Sequence, residues 1–276
     1  MGNRIVFITQ LQHNLGMRLF LLPPTFSKGS SLELTGKDFN YLIRALRLKE
    51  GQCVMGRDRD GELWNLTIVK VMKSSCILSA EKTEQIKEQT DALPEERPLK
   101  RITLYQCLPK GRKADDIIKK ATEAGVRDIV LVKSRNCVAN LEGKEESRLS
   151  RYDAIVTEAI QQSGSIVPTK VSGVIDIADI PKDFAARSEG LPTLGLVLHQ
   201  TRLSEDQSDL FSCVRGFDGS TALVVGPEGG LEEEECQALL KGGFKAVLLK
   251  TNILRCETAS IYAIGAVQTI LESSCQ

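Results

Sequence analysis

Nowhere in the 276 residues do two cysteines form a Cys-x-x-Cys pair, and the chain holds two histidines in all. The ligand sets of tetrahedral zinc sites are therefore not at hand, and no metal is expected. The eight cysteines, at positions 53, 76, 107, 137, 213, 236, 256 and 275, are too sparse for a secreted disulfide scaffold. They read as reduced packing residues of a cytoplasmic protein. No apolar run approaches the roughly 20 residues needed to span a bilayer, which argues against a membrane protein. The first sixteen residues carry one early charge, Arg4, and a short apolar patch at 5–8 before turning polar. Without a small-residue cleavage site this is too little for a secretory signal. Walker and dinucleotide-binding glycine fingerprints are missing too, which disfavours a nucleotide-dependent metabolic enzyme.

An excess of either charge is also lacking, since 36 Lys and Arg balance 36 Asp and Glu. A neutral chain is not an obvious partner for phosphates, but its charges are segregated. Between residues 97 and 135 eleven basic residues meet four acids, whereas between 203 and 236 nine acids meet one base, Arg215. One basic face for RNA is compatible with that distribution, and so are ordinary solvated helix faces.

What is present fits two domains, with 42% hydrophobic and 26% charged residues and enough length for sizeable cores. An N-terminal extension is expected over 1–16, because Met17 precedes a run, RLFLL, that looks like a first strand. From 17 to 81, short apolar runs broken by turn signals such as Asp60-Gly61 predict a small β domain. One helix interrupts it at 37–48, where Phe39, Leu42, Ile43 and Leu46 recur at helical spacing and Arg44 and Arg47 would share a face. Residues 82–98, rich in Glu, Gln and Lys and holding Pro94 and Pro98, predict a linker. From 99 to 276, apolar runs at 102–108, 129–132, 194–198, 222–225 and 246–249 alternate with helical patterns at 114–124, 149–162, 232–241 and 257–271. That alternation predicts an α/β domain with a mainly parallel sheet.

Five segments of this second domain stand where chemistry is usually placed. VVGPEGGL at 224–231 runs a buried strand into a glycine turn and an acidic helix start. Glycines there admit a ligand to the backbone at the carboxyl edge of the sheet, and a tight turn with acids complementing the helix dipole would look the same. After the last strand, LKTNILRCETA at 249–259 sets Arg255 and Glu257 at a helix start, as substrate contacts or as a solvated, capped terminus. His199 follows the strand at 194–198. LPKGRKA at 108–114 gathers Lys110, Arg112 and Lys113 at a strand-to-helix turn suited to phosphate. EAIQQSG at 158–164 ends a helix with amides able to read a base edge.

In this order the segments resemble the RsmE family of 16S ribosomal RNA uridine-N3 methyltransferases, of the SPOUT class. The matching pieces are RLFLLP at 18–23, LIRALRLKEG at 42–51, KGRKADDIIKKATEAGV at 110–126, EAIQQSG at 158–164, GPEGGL at 226–231 and ILRCETA at 253–259. The resemblance implies a PUA-like β-barrel domain for RNA, an α/β domain tied in a trefoil knot, S-adenosylmethionine as cofactor, 16S rRNA or the small ribosomal subunit as partner, and a homodimer. It assigns cofactor contacts to Leu198, His199, Gly226, Pro227, Gly230, Leu249, Asn252, Ile253, Leu254 and Thr258. RNA contacts fall to Arg44, Arg47, Lys110, Arg112, Lys113, Arg135 and Gln162, with Lys110, Arg112 or Arg135 acting across the dimer. Three positions depart from the family pattern: Tyr41 stands for a usual histidine, Ser165 for a usual arginine, and Lys250 near a usual glycine.

Methyl transfer from a sulfonium needs alignment and exclusion of water rather than covalent help. Uridine N3 must lose its proton, and the base must leave any stack. Arg255 is assigned to the negative charge developing on the uracil oxygens, and Glu257 to orienting it or accepting the proton. All of this requires the turn at 226–231 and the loop at 253–258 to close together. Two alternatives stay open: a related SPOUT enzyme acting on ribose or transfer RNA, and a non-catalytic RNA-binding or ribosome-assembly protein with the same fold.

Overall fold

The computed structural model describes residues 19–23, 25–29, 31–58, 62–83, 101–138, 143, 145–165, 167–199, 209–249 and 251–273. These fall into two compact units, one drawn from 1–95 with 160–166, the other from 96–159 and 167–276. The extension expected at 1–16, most of the linker at 82–98, Asp60-Gly61 and Lys250 lie outside the described residues.

In the first unit, strands β1 (Leu19–Leu21), β2 (Leu32–Thr35), β3 (Cys53–Arg57), β4 (Leu63–Val71) and β5 (Ser75–Lys82) form one sheet in the order β1-β3-β4-β5-β2. β1 runs parallel to β3 and the other pairs are antiparallel. Period-two alternation sorts the faces: Trp64, Leu66 and Ile68 of β4 are buried while the residues between them are not. They join Phe20, Leu34, Phe39, Leu42 and Leu78 in one core. Asp58 accepts the Glu62 amide at 2.8 Å and the Trp64 indole N–H at 2.9 Å, so the buried ring leaves no donor unpaired.

The helix anticipated at 37–48 is shorter and of two kinds. Helix α1 (Gly36–Phe39) widens into a π-helical stretch over Asn40–Ala45, with the Leu46 amide donating to the Tyr41 carbonyl at 2.9 Å. Phe39, Leu42 and Leu46 are buried as their spacing predicts. Arg47, however, has φ of +57°, a left-handed residue that ends the helix. Arg44 and Arg47 are both exposed but do not share a helix face, because the break falls between them.

The second unit is a six-stranded sheet made of β6 (Ile102–Cys107), β7 (Asp128–Lys133), β8 (Lys170–Asp176), β9 (Thr193–Leu198), β10 (Ser220–Val225) and β11 (Lys245–Val247). Its order is β11-β9-β10-β6-β7-β8, and every pairing is parallel. All residues of β6 and β10 are buried, as central parallel strands covered on both faces must be. The helices are α2 (Lys113–Glu123), α3 (Glu145–Ser163), α4 (Ile180–Arg187), α5 (Leu210–Val214), α6 (Glu233–Lys241) and α7 (Cys256–Ser273). Tyr105, Val130, Val132, Ala222 and Val224 pack on one face with Phe184 of α4, Leu239 of α6 and Phe244. On the other face α7 packs against α2, β6 and β10, burying Cys256, Ser260, Ala263, Ile264, Val267 and Leu271.

The strand order places the crevice. From β6 the chain moves outward to β7 and β8, returns to β9, sets β10 between β9 and β6, and ends at β11. Connections therefore leave the neighbouring strands β6 and β10 in opposite directions, which opens a cleft at their carboxyl ends.

A polar cluster is built into the first of these faces. The Tyr105 hydroxyl donates to Asp183 at 2.7 Å, and Arg187 donates to Asp183 at 2.6 Å, to Asp128 at 3.2 Å and to Ser172 at 3.1 Å. Burial, and then the bond to Asp183, holds the Tyr105 phenol far above its ordinary value.

Three elements carry no strong sequence signal. β8 is an edge strand with one neighbour and no fully buried residue, and Gly173 interrupts its apolar pattern; α4 and α5 are short. α3 starts about one turn before the expected 149, and β11 ends at Val247 rather than 249. The anticipated knot would involve connections that include 200–208 and 250, outside the described residues.

Candidate functional site

At the carboxyl end of β10 the chain turns sharply. The Gly230 amide donates to the Pro227 carbonyl at 2.9 Å, and Gly230 has φ of +74°, a conformation open to glycine and costly for other residues. A Cβ on Gly226 would lie 3.2 Å from Leu231 Cγ and 3.3 Å from the Gly230 carbonyl carbon. At Gly226 the turn closes on itself, the Leu231 side chain and the Gly230 backbone filling the space of a Cβ, whereas a Cβ at Gly230 would meet nothing within 4 Å. Helix α6 then begins with a capping box, in which Glu232 and Glu235 each accept the other's backbone amide bond.

Lys113, in the first turn of α2, ties this turn to the start of α7. Its ammonium lies 2.8 Å from Glu228 Oε1 and 3.3 Å from Glu257 Oε2. The Lys110 amide also donates to both Glu228 oxygens, at 3.2 and 3.3 Å, and the Cys256 thiol to Glu257 at 3.3 Å. Burial pushes the Glu228 and Glu257 carboxyls upward, but Lys113 and neighbouring amides outweigh it and both end below the ordinary range. Lys113 is raised by its bond to Glu228. Burial, reinforced by Glu257, pushes the Cys256 thiol up to about 12, so Cys256 stays a neutral donor. The segments 226–231 and 253–258 are therefore brought together, as the cleft requires.

A third segment grips the turn from the other side. After β7, the Arg135 amide donates to buried Glu235 at 2.8 Å and its guanidinium to Glu234 at 2.9 Å. The Asn136 side-chain Nδ2 donates to the carbonyls of Gly229 and Gly230, each at 3.3 Å, and to Glu232 Oε1 at 2.8 Å. Behind the cleft, Ser260 of α7 donates to Gln106 of β6 at 2.5 Å, both residues being buried.

The anticipated cofactor residues gather at this edge. Leu198, His199, Leu249 and Leu254 are half-buried, Pro227 is buried, and Asn252, Ile253 and Thr258 are exposed. The His199 amide donates to the Val247 carbonyl at 3.2 Å, fixing the end of β9 to β11. Arg255 is exposed, next to the half-buried Glu257. Of the residues assigned to RNA, Lys110, Arg112 and Arg135 are exposed at the same edge, while the Lys113 ammonium is taken up between two carboxylates. Gln162 is exposed near the end of α3, and Arg44 and Arg47 belong to the first unit. Among the described residues no group of three or more His, Cys, Asp or Glu is placed to hold a metal ion, and no helix is long and apolar enough to cross a membrane.

Sequence reasoning did not single out Glu228, Asn136 or the Gln106–Ser260 pair. The glutamate inside GPEGG was available as a signal. Asn136 had none beyond its place after a strand, and Gln106 stands in a strand that otherwise reads as apolar.

The chain matches the family model described as an RNA methyltransferase domain over residues 95–268, and that of an RNA methyltransferase PUA domain over 34–81. It is 25% identical to ribosomal RNA small subunit methyltransferase E 2 of Borreliella burgdorferi, covering 86% of this chain and 90% of that one. It is 30% identical to ribosomal RNA small subunit methyltransferase E of Aquifex aeolicus, over 64% of this chain and 72% of that one. Among solved structures, the ribosomal RNA small subunit methyltransferase E from Neisseria gonorrhoeae bound to S-adenosyl methionine superposes with a TM-score of 0.72. It is 26% identical, with coverage of 92% and 98%.

Proposed function

The chain belongs to the RNA methyltransferase family, with a PUA domain preceding the methyltransferase domain, and from that premise we propose that it methylates N3 of a uridine in 16S ribosomal RNA using S-adenosylmethionine. The relatives named small-subunit methyltransferase E, along most of the chain, support the ribosomal RNA target. The observation that carries the site is the Lys113 bridge, which joins the glycine turn to the start of α7.

The residues present fit the cofactor. Half-buried Leu198, Leu249 and Leu254 beside a turn whose backbone is bare of side chain at Gly230 suit a ligand with a flat apolar portion. Its holders would be the 226–230 backbone with Pro227, His199, Leu198 and the segment 249–254 with Asn252 and Ile253, and Thr258 at the helix start. When bound, S-adenosylmethionine supplies an electrophilic methyl group.

The chain's own residues do the rest. Exposed Arg255 donates to the uracil oxygens, where negative charge develops as N3 loses its proton. Glu257, held ionised beside Lys113, orients Arg255 or accepts that proton. Arg44 and Arg47 of the PUA-like unit, Lys110, Arg112 and Arg135 of the α/β unit, and Gln162 contact phosphates or bases. The division into an extension at 1–16, an RNA-binding unit at 17–81, a linker at 82–98 and a trefoil-knotted SPOUT unit at 99–276 goes with this reading. So do a homodimer, in which Lys110, Arg112 or Arg135 reaches the partner's substrate, and work in the cytoplasm.

The test is to incubate the protein and S-adenosylmethionine with small ribosomal subunits lacking the modification, then map the methyl group. An N3 methyl blocks Watson–Crick pairing and stops reverse transcription, so one new stop at a uridine is the expected result. A methyl on ribose, or on transfer RNA alone, would replace the proposal by the related activity. No binding of S-adenosylmethionine by calorimetry would leave an RNA-binding protein without catalysis.

A further inference from the structure

All the described cysteines are free, and two of them meet. Cys107 ends β6 and is fully buried; Cys137, partly exposed, closes the turn that follows β7. Cys137 packs against the buried cluster that includes Cys107, and Val132, whose carbonyl the Cys137 sulfur approaches, pairs with Cys107 across β6 and β7. The Ser134 amide and hydroxyl lie 3.4 and 3.2 Å from the same sulfur, and the Val132 carbonyl 3.7 Å from it. One sulfur is therefore the hub on which the 134–137 turn folds. That turn is also the one that grips the glycine turn, through Asn136 on Gly229, Gly230 and Glu232 and through the Arg135 amide on Glu235.

We propose that Cys137 and Cys107 form a peroxide-sensitive thiol pair whose oxidation to a disulfide loosens the hold of Asn136 on the glycine turn and weakens cofactor binding. The effect on the cofactor rests on the 226–231 turn being part of its site; formation of the disulfide does not. The donors around Cys137, the Cys107 thiol first, outweigh burial and bring its thiol down to about 6, which favours the reactive thiolate. A thiolate with a neighbouring thiol is the arrangement of a reversible oxidation site.

The Cys137 thiolate attacks one oxygen of hydrogen peroxide. The O–O bond breaks and hydroxide leaves, taking up the proton that Cys137 had released to become water, and a sulfenic acid remains on Cys137. Cys107 sulfur then attacks Cys137 sulfur, the S–O bond breaks, and the hydroxyl leaves with the Cys107 proton as a second water. Two thiols have given two electrons to one peroxide. To bond, the sulfurs must close to about 2.05 Å, and that movement draws Cys137 away from Ser134 and Val132.

The experiment treats the full chain with hydrogen peroxide, blocks remaining thiols with N-ethylmaleimide and digests it without reduction. A peptide carrying Cys107 joined to one carrying Cys137 is expected. Calorimetry should show S-adenosylmethionine bound about tenfold more weakly, the worth of roughly one net hydrogen bond, and recovery with dithiothreitol. C107S should keep its affinity through the same treatment. In untreated wild-type protein, which needs no variant to fold, Cys137 should alkylate faster than exposed Cys53. No Cys107–Cys137 peptide, with Cys137 alkylating no faster than Cys53, overturns the pair. A disulfide that leaves affinity unchanged overturns its effect on the turn. If untreated protein binds no S-adenosylmethionine, the cofactor site is what fails, and the pair is still decided by the peptide.

Discussion

Glu228 of the glycine turn and Glu257 of α7 share a single ammonium, that of Lys113, at 2.8 and 3.3 Å. Removing it leaves two carboxylates facing each other across the cleft. Lys113→Met should weaken S-adenosylmethionine binding, by no more than about tenfold for a solvent-accessible pair, and Lys113→Arg should retain most of the affinity. Calorimetry on the two variants checks this; equal affinities in wild type and Lys113→Met would refute it.

The same pair makes a pH prediction. Both carboxyls lie below their ordinary value of 4.5. A depressed carboxyl contributes stability that is complete above the unfolded-state value and is lost as pH falls through the folded one. Wild-type unfolding free energy should therefore drop below about pH 5. Doubly neutralised Glu228→Gln/Glu257→Gln protein should drop less over the same interval. Urea titrations at a series of pH values measure both slopes, and parallel curves would contradict the assignment.

Arg255 is exposed beside Glu257 and is assigned to charge that appears only during reaction. Arg255→Ala should lose roughly 100- to 1,000-fold in turnover, the range for one donor to a developing oxyanion, with cofactor affinity intact. Single-turnover methylation and calorimetry on the same preparation separate the two effects. Unchanged turnover removes Arg255 from the mechanism.

Arg187 bonds to Asp183, Asp128 and Ser172 in the polar cluster that also takes the Tyr105 hydroxyl. Replacing it by methionine leaves two poorly solvated carboxylates without their cation and should cost about 3 kcal/mol. Urea unfolding tests this; a loss under about 0.5 kcal/mol, as at an ordinary surface site, would mean the cluster is well solvated.

Salt dependence tests the RNA contacts. Each of Arg44, Arg47, Arg112 and Arg135, if paired with a phosphate, should flatten the slope of log affinity against log salt by about 0.7 to 0.9 on charge reversal. Filter binding at several salt concentrations gives the slopes, and a variant with the wild-type slope drops out of the interface.

Much of the fold was legible because burial writes periodicity into sequence. β6 and β10 are mostly apolar, and in α2 residues Ala114, Ile117, Ile118 and Ala121 recur at helical spacing and are all buried. β8 was not legible, since an edge strand buries little and Gly173 breaks its pattern. The end of α1 was missed for a different reason: a π-helical stretch and a left-handed arginine leave no trace in hydrophobic spacing. At the candidate site, the glycine turn and the α7 start could be read from their motifs. Their connection through Lys113 could not, because α2 is distant in sequence from both. Nor could Asn136, whose acceptors are mostly backbone carbonyls and so place no demand on residue identity.

The Gln106–Ser260 bond has a reach beyond the interior. A helix resting on an apolar sheet can roll about its axis at little cost, whereas one pinned by a buried polar pair would have to leave that pair unsatisfied. The pin sets the azimuth of α7, and with it the row turned outward: Thr258, Tyr262, Gly265 and Thr269, all exposed. Any neighbour docking there meets one invariant relief of small residues around a single tyrosine, so the geometry of that encounter is decided by a hydrogen bond no neighbour can touch.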